Sequence, residues 1–560
     1  MRPPHPRRRR VAAAALLGLW LAVATGAAAQ GMFRHDDPLQ RDADDIPIPK
    51  PAEIELSTSH DVVYHSLADR GRGEGVRAMN VNTLGEVPDS SWFTNRIGVR
   101  ELSLEELARG PDTVEGPDTS GPWSVVAGKS QGITPGFTIV DARGDTYFIK
   151  FDSVGYPHLA TAADVIGTKL FHAIGYNVPE NYIAHLTRAR LQVHPDARLT
   201  RGRSERSMRD ADVDAILALA PREPDGSYRV VASRAVPGEP VGHRLFYGTR
   251  GDDANDVFPH EHRRELRGLR VFCAWLNHDD SRALNSLDVF VPDGERGHLR
   301  HYLIDFSSIL GAGSDARRQI APQSRRAGHE YIIEWAPIFK TLFSFGLWER
   351  PWRHVEYTEH PEIGRLEADY FEPQRWKPEY PNPAFRRMQM EDAFWATRIV
   401  ARFDDERIRA AVAAGDYADP GAGRLLAGLV RARRDKVLAY YLRQLSPLDE
   451  PAVRGEGAER RLEFAHLGER HGLGGVSGYD FEWARFDNAR GVRSPLGEPG
   501  FSPGPSLPVP ADGADFLVVR IRGRSDEPAW RLPVDVFLRQ RGRETSVVGI
   551  ERAASDRSLD

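Results

Sequence analysis

The sequence predicts an α+β protein with a bilobal core, in which a small β-rich lobe leads into a helical large lobe, followed by a small C-terminal all-β, sandwich-like domain. Three observations predict this. Between 123 and 151, apolar residues alternate in period two and are broken by Gly-bearing turns, the pattern of a strand meander. From 260 to 445 the apolar spacing becomes helical, and after 460 it reverts to short strands split by Gly, Pro and Asp.

The 560 residues leave room for several domains and at least one sizeable core. A hydrophobic fraction of 41% and a charged fraction of 28% are ordinary for a globular protein. The formal charge of −5 arises from interleaved acids and bases, so no nucleic-acid partner is expected. Arg7 to Arg10, the apolar run Val11 to Ala24 and the small residues Ala27-Ala28-Ala29 read as a signal peptide over residues 1–29. An exported, periplasmic or extracellular protein is therefore expected, with no stable membrane span after cleavage; an uncleaved anchor is the alternative. Cys273 is the single cysteine, so no intramolecular disulfide and no cysteine metal site can form. Its place inside an apolar helix marks it as a buried packing residue.

Residues 30–120 read as an N-terminal arm and irregular segment, rich in Asp and Pro at first, with a short helix near Leu102 to Ala108. The small lobe spans 121–245. Trp123 to Lys129, Phe137 to Asp141 and Thr146 to Phe151 are its first strands, and Lys150 stands between Ile149 and Phe151 on the third. The loop between the first two carries Lys129 and Gly132, whose backbone N–H groups could cradle phosphates; a plain hairpin turn reads equally well. Leu159 to Ile174 has helical spacing with one wet face, and Gly175 closes it. Strands follow at Tyr182 to Leu186 and Tyr228 to Ala235, and the second runs into Val236-Pro237-Gly238.

The large lobe spans 246–445. Its helix from His260 to Leu276 delivers Asn277-His278-Asp279-Asp280, and residues 331–445 are expected to be helix-rich, with their Trp residues in the core. Residues 446–459 read as a linker and 460–560 as the C-terminal β domain.

The chemistry concentrates between 260 and 310. Asp280 is followed five residues later by Asn285, and Asp305 ends the apolar run Tyr302-Leu303-Ile304. Phosphoryl transfer needs such a set: one acid to orient or deprotonate the attacking hydroxyl, and an Asn and a second acid to hold the metal on the phosphates. Lys150, if it points inward, needs an anionic partner because an unpaired buried ammonium is costly, and Asp164 on the following helix is the best-placed carboxylate. Taken singly, Asp280, Asn285 and Asp305 also read as turn or cap residues.

In this order, the motifs YFIKFD, DDSRALN and YLIDFSS resemble those of the atypical kinase superfamily, in particular its HipA-like, CotH-like and phosphatidylinositol-kinase-like branches. The resemblance covers roughly residues 121 to 445. It implies that Asp280 is catalytic, that Lys150, Lys129, Gly132 and Asp164 serve the nucleotide, and that Asn285 and Asp305 hold Mg²⁺ or Mn²⁺, with ATP as donor. The implied function is an exported kinase-like phosphotransferase that modifies an envelope protein, sugar or lipid. Two departures stand out: Ser307 follows Asp305-Phe306 where many kinases have Gly, and Asn-His-Asp-Asp replaces His-Arg-Asp, so Asp279 competes with Asp280. The alternatives are a catalytically inactive binding or scaffold module, and transfer of AMP by the same residues. His260 and His262 read as a solvated pair, and no Gly-x-Ser-x-Gly supports a hydrolase.

Overall fold

A computed structural model describes residues 31–68, 75–128, 136–201, 204–314, 319–357 and 360–553. It is mixed α+β, with 27% helix and 27% strand. The signal-peptide reading of 1–29 lies outside the described residues, as do Lys129 and Gly132. The chain divides into two compact units, one of residues 39–447 with 467–474 and one of residues 31–38 with 448–466 and 475–553.

The larger unit opens on strands β1 (Trp123–Gly128), β2 (Gly136–Val140) and β3 (Thr146–Lys150), the meander the alternation predicts. With β4 (Asn181–Leu186), β5 (Leu191–Arg201), β6 (Ser204–Ser207) and β7 (Tyr228–Arg234) they form a seven-stranded sheet in the order β4-β7-β3-β2-β1-β5-β6. Only β1 and β5 run parallel in it. Trp123, Val125, Phe137, Ile139, Tyr147, Ile149 and Val230 share one buried cluster on the sheet.

Helix α1 (Leu159–Ile174) follows β3. The expected wet face is absent: His172 is its one residue that is not buried. The helix lies against β4 and β7 and is also covered by helix Leu104–Arg109 and by residues 405–413. Its charged positions survive burial by pairing, Asp164 with Lys150 and Lys169 with Asp112. Asp152, just past β3, caps the helix, its carboxylate accepting from the N–H groups of Ala160 and Thr161 at 2.7 and 3.0 Å. One short turn thus ties the Lys150 strand to α1.

From β7 the chain crosses residues 235–238 to β8 (Glu239–Pro240), which joins the hairpin β9 (Ser286–Asp293) and β10 (Arg296–Leu303) in a second sheet, ordered β10-β9-β8. Helix α2 (Arg264–Leu276) is buried on every residue but Arg270, Cys273 included. Its arginines are neutralised by Asp392, 2.9 Å from Arg264 and 3.4 Å from Arg267. Contrary to the solvated reading, His260 is buried, with Nε2 2.6 Å from Asp256.

A small hairpin, β11 (Ala312–Ser314) and β12 (Ile320–Pro322), precedes helix α3 (Trp335–Phe343). The expected helix richness of 331–445 holds only from Pro383 onward. Between α3 and that point, Pro351, Pro361, Pro373, Pro378 and Pro381 interrupt the backbone pattern a helix needs. Helices α4 (Met390–Ala401) and α6 (Pro420–Tyr441) then pack on each other and on α2, and α5 (Asp405–Ala413) packs on α6. Trp275, Trp376 and Trp395 are buried as expected of core tryptophans, but Trp348 and Trp352 are only partly buried and Trp335 is exposed: no residue of α3 is buried.

In the smaller unit, the stretch read as a linker contributes a strand, β13 (Leu448–Arg454), which pairs with β14 (Arg461–His466). With β18 (Ser506–Pro508) these make a three-stranded sheet. A second sheet contains β15 (Tyr479–Asp487), β16 (Val492–Pro495), β17 (Gly500–Ser502), β19 (Phe516–Gly523), β20 (Val534–Arg541) and β21 (Glu544–Arg552). Leu462, Leu507, Leu517, Val519, Val536 and Leu538, drawn from both sheets, share one apolar core.

Candidate functional site

Lys150 is the last residue of β3, where its Cα partners are Gly136 and Val231. Its Nζ lies 2.9 Å from Asp164 Oδ2 and 3.0 Å from Asp305 Oδ1. The lysine side chain is 15% exposed, Asp164 1% and Asp305 42%, so the pair with Asp164 is interior and Asp305 forms the open side. Burial alone would lower the pKa of Lys150, but the two carboxylates outweigh it and the ammonium is held above its ordinary value. Asp164 does a second job: its Oδ1 accepts from the Phe306 N–H at 3.0 Å and from Asn181 Nδ2 at 3.1 Å.

The other half of the site hangs from α2 and the β9–β10 hairpin. Asn277 ends α2 in a left-handed conformation (φ 53°) and turns the chain into His278-Asp279-Asp280. Asn285 precedes β9, and the hairpin returns with Ser286 opposite Leu303, so the Asn285 carbonyl accepts from the Ile304 N–H at 3.0 Å. That register brings Asn285 and Asp305 together. Asp305 itself is left-handed (φ 61°), a region Asp tolerates better than most residues. Ser307 Oγ donates to Asp305 Oδ1 at 2.6 Å, so the residue that replaces Gly stiffens this loop.

Phe306 is fully buried, stacked 4.9 Å from Phe171 of α1 and 5.6 Å from the His278 ring. Gly167 of α1 permits this close approach, because a Cβ there would lie 2.6 Å from Phe306 Cβ. Burial lowers His278 to about 4, so its ring is neutral at physiological pH.

Asn285 Nδ2 donates to the Asp280 carbonyl at 2.7 Å, which leaves its Oδ1 as the acceptor atom. Arg282 Nε lies 2.7 Å from Asp280 Oδ1, an ion pair without hydrogen-bond geometry, and Oδ1 has no hydrogen-bond partner among the described residues. A buried carboxylate oxygen in that condition is rare in folded proteins. Arg282 also holds Glu379 at 2.9 Å. Burial pushes the Asp280 carboxyl well up, with Glu379, Asp279 and Asp305 adding to the rise and Arg282 opposing it. Asp279 is raised to about 7 by burial and by Glu379; its Oδ1 accepts from Gln323 Nε2 at 2.9 Å.

Lys150 thus joins Asp164 and Asp305, Asn285 joins the Asp280 backbone, and the two halves meet where the N–H of Ile304, next to Asp305, donates to the Asn285 carbonyl; Lys129 and Gly132 lie outside the described residues. Sequence reasoning missed Arg282, Glu379, Gln323 and Asn181. Arg282 stands two residues after Asp280 and was open to notice; the others reach the site only through the fold.

Among the described residues, no group of three or more His, Cys, Asp or Glu could hold a metal ion by itself. The Asn285 amide oxygen and the Asp305 carboxylate are an all-oxygen set of the kind a hard divalent cation takes, with water and phosphate oxygens completing its shell. Among the same residues, no helix is long and apolar enough to cross a membrane. Comparison with family models, with curated proteins and with solved structures returns no match for the chain.

Proposed function

We propose that the larger unit is a kinase-like bilobal core, and that the protein is an exported phosphotransferase using ATP with Mg²⁺ or Mn²⁺ on an envelope protein, sugar or lipid. One observation carries this reading: Lys150 bridges Asp164 and Asp305, and Asp305 sits beside an Asn285 locked onto the Asp280 backbone. An inward ammonium between two carboxylates is a charge arrangement that phosphate oxygens could share. Asn285 and Asp305 would hold the cation, which supplies charge neutralisation on the phosphates when bound. Asp280 would accept a hydrogen bond from the acceptor hydroxyl through Oδ1, which is ion-paired to Arg282 but has no hydrogen-bond partner among the described residues, and take its proton. Arg282 keeps that carboxylate from swinging away.

A second reading, a binding or scaffold module without catalysis, is favoured by the same Arg282 contact, which partly neutralises the proposed base. Transfer of AMP would use the same residues. The test uses the full chain with ATP and Mn²⁺, reading nucleotide-induced thermal shift and transfer of labelled phosphate to envelope extract. Asp280→Asn should keep the shift and lose transfer by about 10²–10³-fold, the usual scale for a general base. Asp305→Ala should lose the metal-dependent part of the shift. An Asp305→Ala protein that binds and transfers like the wild type would sink the reading, while a wild type that binds without transferring would favour the scaffold.

A further inference from the structure

Helix α3 and the turn after it do not behave as part of a folded surface. Along residues 332–347, Trp335, Phe339 and Leu342 are about half exposed or more, Phe343 is 76% exposed, Phe345 93% and Leu347 88%. Single exposed apolar side chains are ordinary, but a contiguous run of this size marks an interaction surface. The inner side of α3 does not rest on a core either: Glu334, Ala336, Pro337 and Lys340 line a cavity of about 700 Å³. Among the described residues, the aromatic rings of α3 stack on each other alone, Trp335 on Phe339 at 5.9 Å and Phe339 on Phe343 at 6.1 Å.

The shape and chemistry of the patch choose its occupant. Phe345 and Leu347 flank Gly346 at the tip of the turn and project clear of the fold, so the apolar surface is convex. A protein partner would need a matching apolar pocket for such a tip, whereas a bilayer accepts it without shape matching. Toward the base stand Trp335, Trp348 and Trp352, with Lys340 5.6 Å from the Trp348 ring centre and Arg353 6.0 Å from that of Trp352. Tryptophan and long cations at the base, with Phe and Leu at the tip, match the depth order of a membrane interface. Charges near the patch balance, with Lys340, Arg350 and Arg353 set against Glu334, Glu349 and Glu356, so attraction to anionic lipid is not the driving force.

We infer that residues 332–348 insert into the lipid–water interface and dock the larger unit on a bilayer surface without spanning it. The inference does not rest on phosphate transfer, and its test does not use activity. Full-length protein is sedimented with phosphatidylcholine vesicles at 0.15 and 0.5 M salt, while the blue shift of Trp emission reports insertion. The wild type should bind neutral vesicles at both salt levels. Phe345→Ser with Leu347→Ser should cut the bound fraction at least tenfold and abolish the blue shift, with an unchanged melting temperature because neither side chain packs on the fold. A Lys340→Gln variant should bind as well as the wild type. Absence of binding, equal binding by the double variant, or binding that requires anionic lipid and disappears in salt would overturn the inference. So would a wild-type dimer on gel filtration that the double variant dissociates with no vesicle binding.

Discussion

Asp279 carries a testable electrostatic cost. Its carboxyl sits among Gln323, Glu379 and the Asp280 loop, and burial followed by the Glu379 charge raises it to about 7 from an ordinary 3.8. A carboxyl that binds its proton more tightly when folded favours the fold at low pH. That advantage fades as pH rises from near 4 to near 7, and above 7 the full penalty of a buried anion remains. Asp279→Asn should therefore leave stability unchanged near pH 4 and raise it by about 1–2 kcal/mol at pH 8, after allowance for partial exposure and for its neighbours. Denaturant midpoints at the two pH values check this, and an equal change at both would refute it. At this scale the site was partly legible. Lys150, Asp164, Asn285 and Asp305 show themselves because strand alternation and short local spacings fix where they point. Glu379 and Gln323 do not, since each reaches the loop from some 40 to 100 residues further along the chain, a separation that no local periodicity describes. The fold places the two acids differently: Asp279 Oδ1 accepts from Gln323, whereas Asp280 Oδ1 has an ion pair with Arg282 and no hydrogen-bond partner among the described residues.

Among the elements, α1 shows how burial can hide from a sequence. Its acids and bases sit at helical spacing and read as a solvated face, yet Asp164 and Lys169 each meet an opposite charge inside. The Asp164–Lys150 pair was open to reading because an inward lysine needs an anion, but pattern alone cannot tell that Lys169 is paired, because Asp112 comes from another element. The same helix depends on Gly167. Alanine there would gain up to about 1 kcal/mol in helix propensity. Its Cβ would also press within 2.6 Å of Phe306, held between Phe171 and His278. Overpacking of this kind typically costs about 1–3 kcal/mol, so the net effect of Gly167→Ala should be destabilising. It should also weaken any nucleotide-induced thermal shift, because Phe306 adjoins Asp305. A Gly167→Ala protein more stable than the wild type would show that the contact relaxes freely. For α3 the sequence misled in the opposite direction: Trp335 was expected in the core, and the fold leaves it about half exposed.

Across the whole molecule, the change of composition after 460 marked a β region, but not that residues 448–454 and residues near the start of the chain complete it. Strands β19 and β20 are apolar on both faces. Leu517, Val519, Val536 and Leu538 enter the core between the sheets, while Val518 and Phe537 point to the other side. Phe33 covers that side, its ring 5.1 Å from Phe537, 5.8 Å from Phe516 and 6.0 Å from Phe486. Asn488 clamps the segment by accepting from the Phe33 N–H and donating to the Phe33 carbonyl, both at 2.8 Å. Arg539 donates to the carbonyls of Arg34, His35 and Asp37. The Asp- and Pro-rich composition of residues 30–60 reads as an arm, and a lone Phe within it gives no sign of a docking site more than 450 residues away. Phe33→Ala should open a cavity and remove about 3 kcal/mol, within the usual range for a buried Phe. The melting transition of the β unit should fall by roughly 15 °C, whereas Phe33→Leu should lose about a third as much. Scanning calorimetry, with Trp483 and Trp530 fluorescence reporting on this unit, follows the loss. The larger unit, to which residue 33 does not belong, should keep its own transition. If Phe33→Ala left both transitions in place, the segment would be a passive passenger on the β unit instead of the cover of its second face.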